Sequence, residues 1–412
     1  MSTHPNGTRD LGHLALLLLV PLVSLCAALA EEPSSPVFIL RTADGESLTG
    51  PLRQLGDRWS VRLGEHEAAG DNVVALRRDD LPMPPFPAGE QLLFANGDRL
   101  AAHVLGLRGE RLEVRLPPGL GGDRPVTLPL SAVSVVWLGA PDDADDPAGL
   151  RRRLASDRRS RDRVLLRNGD ALEGVFDGMD EKAVRVEVEQ KPVSVARGKV
   201  AAVALSTELA ESLKPRGPYA RLVLAGGSRV SLAKATCDGA ALTGTTLFDA
   251  PVRVPLAQVA ALYVYQGRAV YLSDLKPRRV EQTKYLDVNW PPVADGSVAG
   301  RDLRLAGGTY DKGLGLHSGT RVTYDLAGGY RRFEARVGLD DQTGRRGSVR
   351  VRVLADGKPL DVGWDRELMA RDGAVPIHAD VRGARELTLA VEFGQGGDVQ
   401  DDVDWVDARL VK

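Results

Sequence analysis

The chain has 412 residues, more than one small core can account for and the length of two or three domains. Lys and Arg total 54 against 56 for Asp and Glu, a net charge of −2, with 43% hydrophobic and 27% charged residues. That is ordinary globular composition and argues against a dedicated nucleic-acid binder and against wholesale disorder.

Residues 1–30 read as a secretory signal: Arg9, an apolar run over 14–29, and the small-x-small ending Ala28-Leu29-Ala30 before Glu31-Glu32. Cleavage after Ala30 gives a mature chain starting at Glu31 and a secreted or periplasmic protein. An uncleaved anchor is opposed by Pro21 within the run, and lipid attachment at Cys26 by the bulky Leu25. No later stretch offers about 18 consecutive apolar residues, so no membrane span is expected. Cys237 is then left alone, without a partner for a disulfide.

From residue 36 to 267 the sequence repeats loosely, with units at 36–81, 90–140, 164–206 and 220–267 and a charged linker at 141–163. The units open as FILRTADGESLTG (38–50), LLFANGDRLAAHVLG (92–106), VLLRNGDALEGVFDG (164–178) and LVLAGGSRVSLAKA (222–235). Each is an apolar strand, a turn pair and a second strand. The pairs Asp44-Gly45, Asn96-Gly97, Asn168-Gly169 and Gly226-Gly227 predict type I′ hairpins. An alternating strand follows, and each unit ends in an apolar phrase, at 73–76, 133–138, 200–205 and 259–264. Short strands at this rhythm suit a small, strongly bent barrel closing its own edges, and the units resemble SH3-like or Sm-like barrels. The Pro-rich stretch 82–87 reads as a linker, the acidic-then-basic stretch 142–163 as a solvated linker or short charged helix, and 206–213 as a short helix capped by Ser206.

After Arg268 aromatic residues become frequent. Apolar or alternating runs at 331–337, 348–354, 375–381 and 386–393, broken by glycine turns, predict an antiparallel β-sandwich. The expected fold class is all-β: tandem small barrel-like repeats followed by this sandwich. Signatures of catalysis are missing: the sequence has no G-x-S-x-G elbow, phosphate-binding G-x-x-x-x-G-K-[ST] loop or H-E-x-x-H helix. The glycines of 313–319 miss the dinucleotide spacing. His66, His103, His317 and His378 are too scattered for a histidine metal cluster. Asp340-Asp341 in principle offers the carboxylates of a glycoside hydrolase, although adjacent aspartates in a β-domain loop more often form turns or bind calcium.

Five phrases lie in order across the last third: YLSDL (271–275), GGTYDKGLGLH (307–317), YDLAGGYRRFEARVGLDD (324–341), GSVRVRVLADGK (347–358) and GARELTLAVEFGQGGDVQDDVDWVDARL (383–410). Together they resemble the NPCBM family of carbohydrate-binding modules, first noted beside glycoside hydrolases of family 98, with a galactose-binding-like jelly-roll sandwich. Ser318-Gly319 and Asp361-Val362-Gly363-Trp364 depart from the family pattern and bear on ligand choice, not on fold.

The resemblance implies glycan binding in loops at one end of the sandwich. A sugar presents an apolar face to aromatic rings and hydroxyls to polar side chains. The candidates are His317, Asp340, Asp341, Asp404 and Trp405, with Trp290 and Trp364 as stacking platforms. Purely structural roles compete: Trp405 as core, His317 bonded to backbone, Asp341 capping a turn. Asp398, Asp401 and Asp402, beside Asp404, offer oxygen ligands for calcium, or else form a solvated acidic loop. The expected protein is therefore secreted, non-catalytic and bound to carbohydrate, for instance a galactose-containing glycan. The alternatives are an envelope structural protein whose repeats dock a protein partner, and an accessory part of a glycoside hydrolase system.

Overall fold

A computed structural model describes residues 35–117, 124–208, 215, 217–285 and 288–412. The signal segment with its cleavage point, and most of the helix expected over 206–213, lie outside the described residues.

The four repeats share one pairing order. In the first, Val37–Thr42 pairs with both Ser47–Leu55 and the last strand, Val73–Arg78, while Val61–Leu63 and His66–Ala68 extend the sheet from the second strand. The third repeat (Asp162–Leu166 to Val200–Ala204) and the fourth (Tyr219–Leu224 to Val259–Tyr265) follow the same order. In the second repeat the long second strand is split into Arg99–Ala101 and His103–Arg108. A single 3-10 turn precedes every last strand: Gly70–Asn72, Leu130–Ala132, Arg197–Lys199 and Leu256–Gln258.

The hairpins differ from the type I′ expectation in the same way each time. Gly45, Gly97, Gly169 and Gly227 have φ of 95°, 83°, 87° and 87°, whereas the residue before each glycine is not left-handed. The glycine N–H donates to the carbonyl three residues back, Thr42, Phe94, Leu166 and Leu224 respectively. Each loop is thus a four-residue turn whose last residue is a left-handed glycine forming a bulge, the three-residue hairpin.

Edges are managed between repeats. The last strand of the first repeat pairs with the last strand of the fourth (Leu76 opposite Leu262), and that of the second with that of the third (Val136 opposite Val203). These strands are covered on both faces, which explains their unbroken apolar phrases. Leu76 and Leu262 turn into the repeat cores, while Ala75, Ala261 and Tyr263 fill a second cluster with Tyr265 and Tyr271.

Neither expected linker is a loose spacer. Within the charged stretch, helix Pro147–Ser156 is capped by Asp146, whose Oδ1 accepts from Gly149 N at 2.9 Å. Leu154 packs against Trp137, and the Arg151 guanidinium lies 5.3 Å from the Trp137 ring centre. In the Pro-rich stretch, Phe86 is held between the guanidiniums of Arg99 and Arg229, at 3.7 and 4.2 Å from its ring centre.

The C-terminal part is an antiparallel sandwich of two sheets. One runs Val293–Ala294, Gly313–His317, Asp402–Val411, Arg332–Leu339, Val375–Asp380, with Ala269–Tyr271 added on the Asp402–Val411 strand. The other runs Arg279–Gln282, Thr320–Asp325, Glu386–Phe393, Ser348–Ala355, Lys358–Pro359, with Leu368–Met369 beside Ser348–Ala355. Between them lies one apolar cluster drawn only from residues of the C-terminal third, including Leu316, Tyr324, Phe333, Val351, Leu389 and Trp405.

Candidate functional site

The glycine-rich phrase GLGLH is the strand Gly313–His317, with Leu314 and Leu316 in the core. Gly315 is required by a close crossing: a Cβ there would lie 2.4 Å from Gly296 O and Val298 N of the overlying segment. The strand ends at His317, opposite Asp402 at the start of its neighbour. Gly319 makes the turn that follows, with φ of 79°.

His317 is 4% exposed and Trp290 is 38% exposed. Their rings stack with centres 5.1 Å apart and planes 17° from parallel. His317 Nδ1 lies 3.3 Å from Ser318 O, and its Nε2 lies 3.7 Å from Asp402 Oδ1. Trp290 keeps over a third of its surface exposed, and its backbone carbonyl accepts from the Gln282 amide. Beside it Tyr285, also exposed, leans on Phe393 at 5.6 Å between ring centres. A shallow depression is lined by Lys284, Tyr285, Trp290, His317, Ser318 and Asp398, among others. It combines two partly exposed aromatic surfaces with donors and acceptors of both charge signs, the chemistry a sugar ring needs.

The other candidates are placed as follows. Asp340 directly follows the strand Arg332–Leu339 and is 1% exposed. Its Oδ1 accepts from Gln342 N at 2.9 Å, its Oδ2 has no partner among the described residues, and burial pushes its carboxyl up from the ordinary range. Asp341 is exposed but committed, its two oxygens accepting from Ala306 N and Gly307 N at 3.1 and 2.8 Å, which clamps that turn. Asp404 is fully buried, between Gly315 and Gly338 on the flanking strands. Its Oδ2 accepts from Arg304 N at 3.0 Å, and burial first, then the Asp340 charge, hold its carboxyl well above the ordinary value. Trp405 is fully buried, 6.4 Å from Phe333 between ring centres, so it is a core residue and offers no sugar platform. Trp364 is half-buried under the Arg366 guanidinium, 3.9 Å from its ring centre, and does not line the depression.

The three aspartates expected to hold calcium diverge. Asp398 faces the Trp290 depression, Asp401 Oδ1 accepts from Ser348 N at 2.9 Å, and Asp402 Oδ2 accepts from the Thr343 hydroxyl at 2.9 Å. Among the described residues no group of three or more His, Cys, Asp or Glu side chains is arranged to hold a metal. The structure therefore gathers His317, Trp290 and Asp398 in one depression. Asp340, Asp341, Asp401 and Asp402 lie at the same end of the sandwich on other partners. Lys284 and Tyr285 were not singled out by the sequence, because nothing in its spacing distinguishes an exposed tyrosine from a core one; Ser318 was named only as part of a departure from the family pattern.

Comparison with known proteins bears on the same segment. Residues 268–411 match the family model described as "NPCBM/NEW2 domain". A protein of Renibacterium salmoninarum carrying the name of an endo-alpha-N-acetylgalactosaminidase is 30% identical over 130 residues, 30% of this chain and 8% of that protein. The chain thus spans under a tenth of the curated relative it matches. A solved CBM51 module from Clostridium perfringens GH95, in complex with methyl-galactose, is 26% identical and covers 35% of this chain and 99% of its own, with a TM-score of 0.31. The tandem CBM51 modules of Sp3GH98 from Streptococcus pneumoniae are 13% identical over 78% of this chain and 88% of theirs, with a TM-score of 0.32. The C-terminal third of the chain, residues 268–411, thus carries an NPCBM/NEW2 domain.

Proposed function

We propose that the protein is exported and binds glycan without cleaving it, the sugar ring settling on the open face of Trp290. The observation that carries this reading is the exposed indole backed by the buried His317 ring at 5.1 Å, at the end of an NPCBM sandwich. A ring held flat from behind loses little freedom when a sugar stacks on its front, so binding is pre-organised. His317 in turn is oriented by Ser318 and Asp402. Lys284, Asp398 and Ser318 border the platform and supply hydrogen bonds to hydroxyls. Galactose and N-acetylgalactosamine are the first sugars to test, the second because of the name carried by the Renibacterium relative.

A glycan array probed with the full mature chain tests binding, and chromatography of the retained glycans after long incubation tests the absence of cleavage. Retention of a defined glycan set, recovered intact, is the expected result. Products shortened by one sugar would replace this reading with an enzyme. Mass spectrometry of protein from its native host, expected to start at Glu31, tests export.

A further inference from the structure

A second pocket of about 550 Å³ opens at the same end of the sandwich. The segment 394–401 separates it from the Trp290 depression. On one side of that partition Gly397 approaches Tyr285, and on the other the Gln400 side chain accepts from Arg346 N at 3.0 Å. The pocket wall brings together Arg345 and Arg346, from the loop after Asp341, and Arg371, from the turn Ala370–Asp372.

Among the described residues, none of these three guanidinium groups makes an ion pair or hydrogen bond. Arg99, Arg229 and Arg409 contrast with them, being paired with Asp302, Asp311 and Glu334. Local carboxylates are engaged elsewhere. Asp341 is taken up by Ala306 N and Gly307 N, and Asp372 by Arg366 and Met369 N. Asp340, which also lines the pocket, is buried, with its Oδ1 accepting from Gln342 N and from the Gln342 side-chain amide. Three guanidiniums thus outnumber the two carboxylates, Asp340 and Asp341, on this concave surface, and each unsatisfied planar fork is matched in geometry to a carboxylate or sulfate. The volume exceeds that of an oxyanion alone and has room for the sugar ring bearing it.

We propose that this pocket receives the oxyanion, carboxylate or sulfate ester, of an acidic saccharide whose neighbouring neutral ring lies on Trp290. This rests on the Trp290 reading for the neutral ring only. The arginines are exposed, so the attraction is screened by salt over a Debye length of about 10 Å at 0.1 M.

The test titrates the full chain with matched disaccharide probes, galactose linked to a second galactose, to galactose 6-sulfate or to galacturonic acid, the first being the neutral galactose probe, and separately with inorganic sulfate against chloride at equal ionic strength. One of the acidic sugars is expected to bind about tenfold tighter than galactose at low salt, an advantage that shrinks as salt is raised. The sulfated and carboxylated probes identify which oxyanion is preferred. The triple variant Arg345→Gln, Arg346→Gln, Arg371→Gln is expected to lose that advantage while keeping the affinity for galactose. Equal binding of all three sugars by the wild type, or an advantage that persists in the triple variant, overturns the proposal. Loss of galactose binding in Trp290→Ala reports on the platform, not on the arginines. Should galactose itself not bind, sulfate still decides. A rise in Tm beyond that in chloride, present in the wild type and absent in the triple variant, supports the pocket; equal shifts in both overturn it.

Discussion

Arg229 and Asp311 meet at 3.1 Å across the seam between the fourth repeat and the sandwich, with side chains 1% and 6% exposed. Arg229 also donates to Pro84 O and Pro85 O, so one guanidinium ties together the fourth repeat, the Pro-rich segment and the sandwich. Lys312, next to Asp311, donates to Asp274 and Asp295 within the sandwich. The sandwich is thus fixed on the repeats by buried charge as well as by the cluster that includes Tyr263, Tyr271 and Val411.

Removing one partner of a buried pair strands the other, so Asp311→Ala should cost about 3–5 kcal/mol, somewhat less to the extent that the carbonyls continue to satisfy Arg229. Urea unfolding of the full chain measures it. A loss below about 0.5 kcal/mol, the usual effect of a surface change, would show that the pair is not buried in solution.

The apolar cluster of the sandwich contains no residue from the repeats, so a fragment from Arg268 to Lys412 should fold by itself. It should melt cooperatively but at a lower temperature than the full chain, because Tyr271 and Val411 lose their cover. A fragment without a cooperative transition would show that the repeats are required.

Asp404 and Asp340 give a pH dependence whose sign is fixed. Both carboxyls titrate above their unfolded values in the folded protein, through burial. The folded state therefore binds protons more tightly than the unfolded state. Their stabilising contribution is complete below the unfolded value of about 3.9 and is lost as pH rises through the folded values. Asp404→Asn preserves an acceptor for Arg304 N and removes the titration. Between pH 4 and 8 its Tm should therefore fall less with rising pH than that of the wild type. Parallel Tm profiles would contradict this.

Trp405→Ala should cost about 3–5 kcal/mol by opening a cavity beside Phe333 and should leave any retained glycan binding unchanged in specificity. Thermal melts and the same glycan panel check both parts.

Architecture was legible where it rests on local chemistry. Four turn glycines marked four hairpins, and alternation after Arg268 marked the sandwich strands. The turn subtype was not legible, because Asp-Gly and Asn-Gly serve both the type I′ loop and the glycine-bulge loop; the choice depends on the bulge pairing of the second strand. Nor was the pairing of last strands between repeats, since a phrase such as 133–138 reads alike whether its second face meets another strand or a helix. In the site, His317 and Trp290 were both named from the sequence, but their stacking joins residues 27 apart through the Gly319 turn and the Gln282 anchor. Asp404 and Trp405 sit in a motif that looks like a binding loop and is the buried start of a long strand. Motif position gave no information on which way its side chains face.

The most direct measurement titrates wild-type chain and Trp290→Ala with a glycan retained on the array, with Tm recorded for both. Trp290→Ala should lose at least about tenfold in affinity, from removal of an aromatic platform contributing about 1.5 kcal/mol or more, at nearly unchanged Tm. Equal affinity in the two proteins would contradict the assignment of the sugar site to the Trp290 and His317 stack.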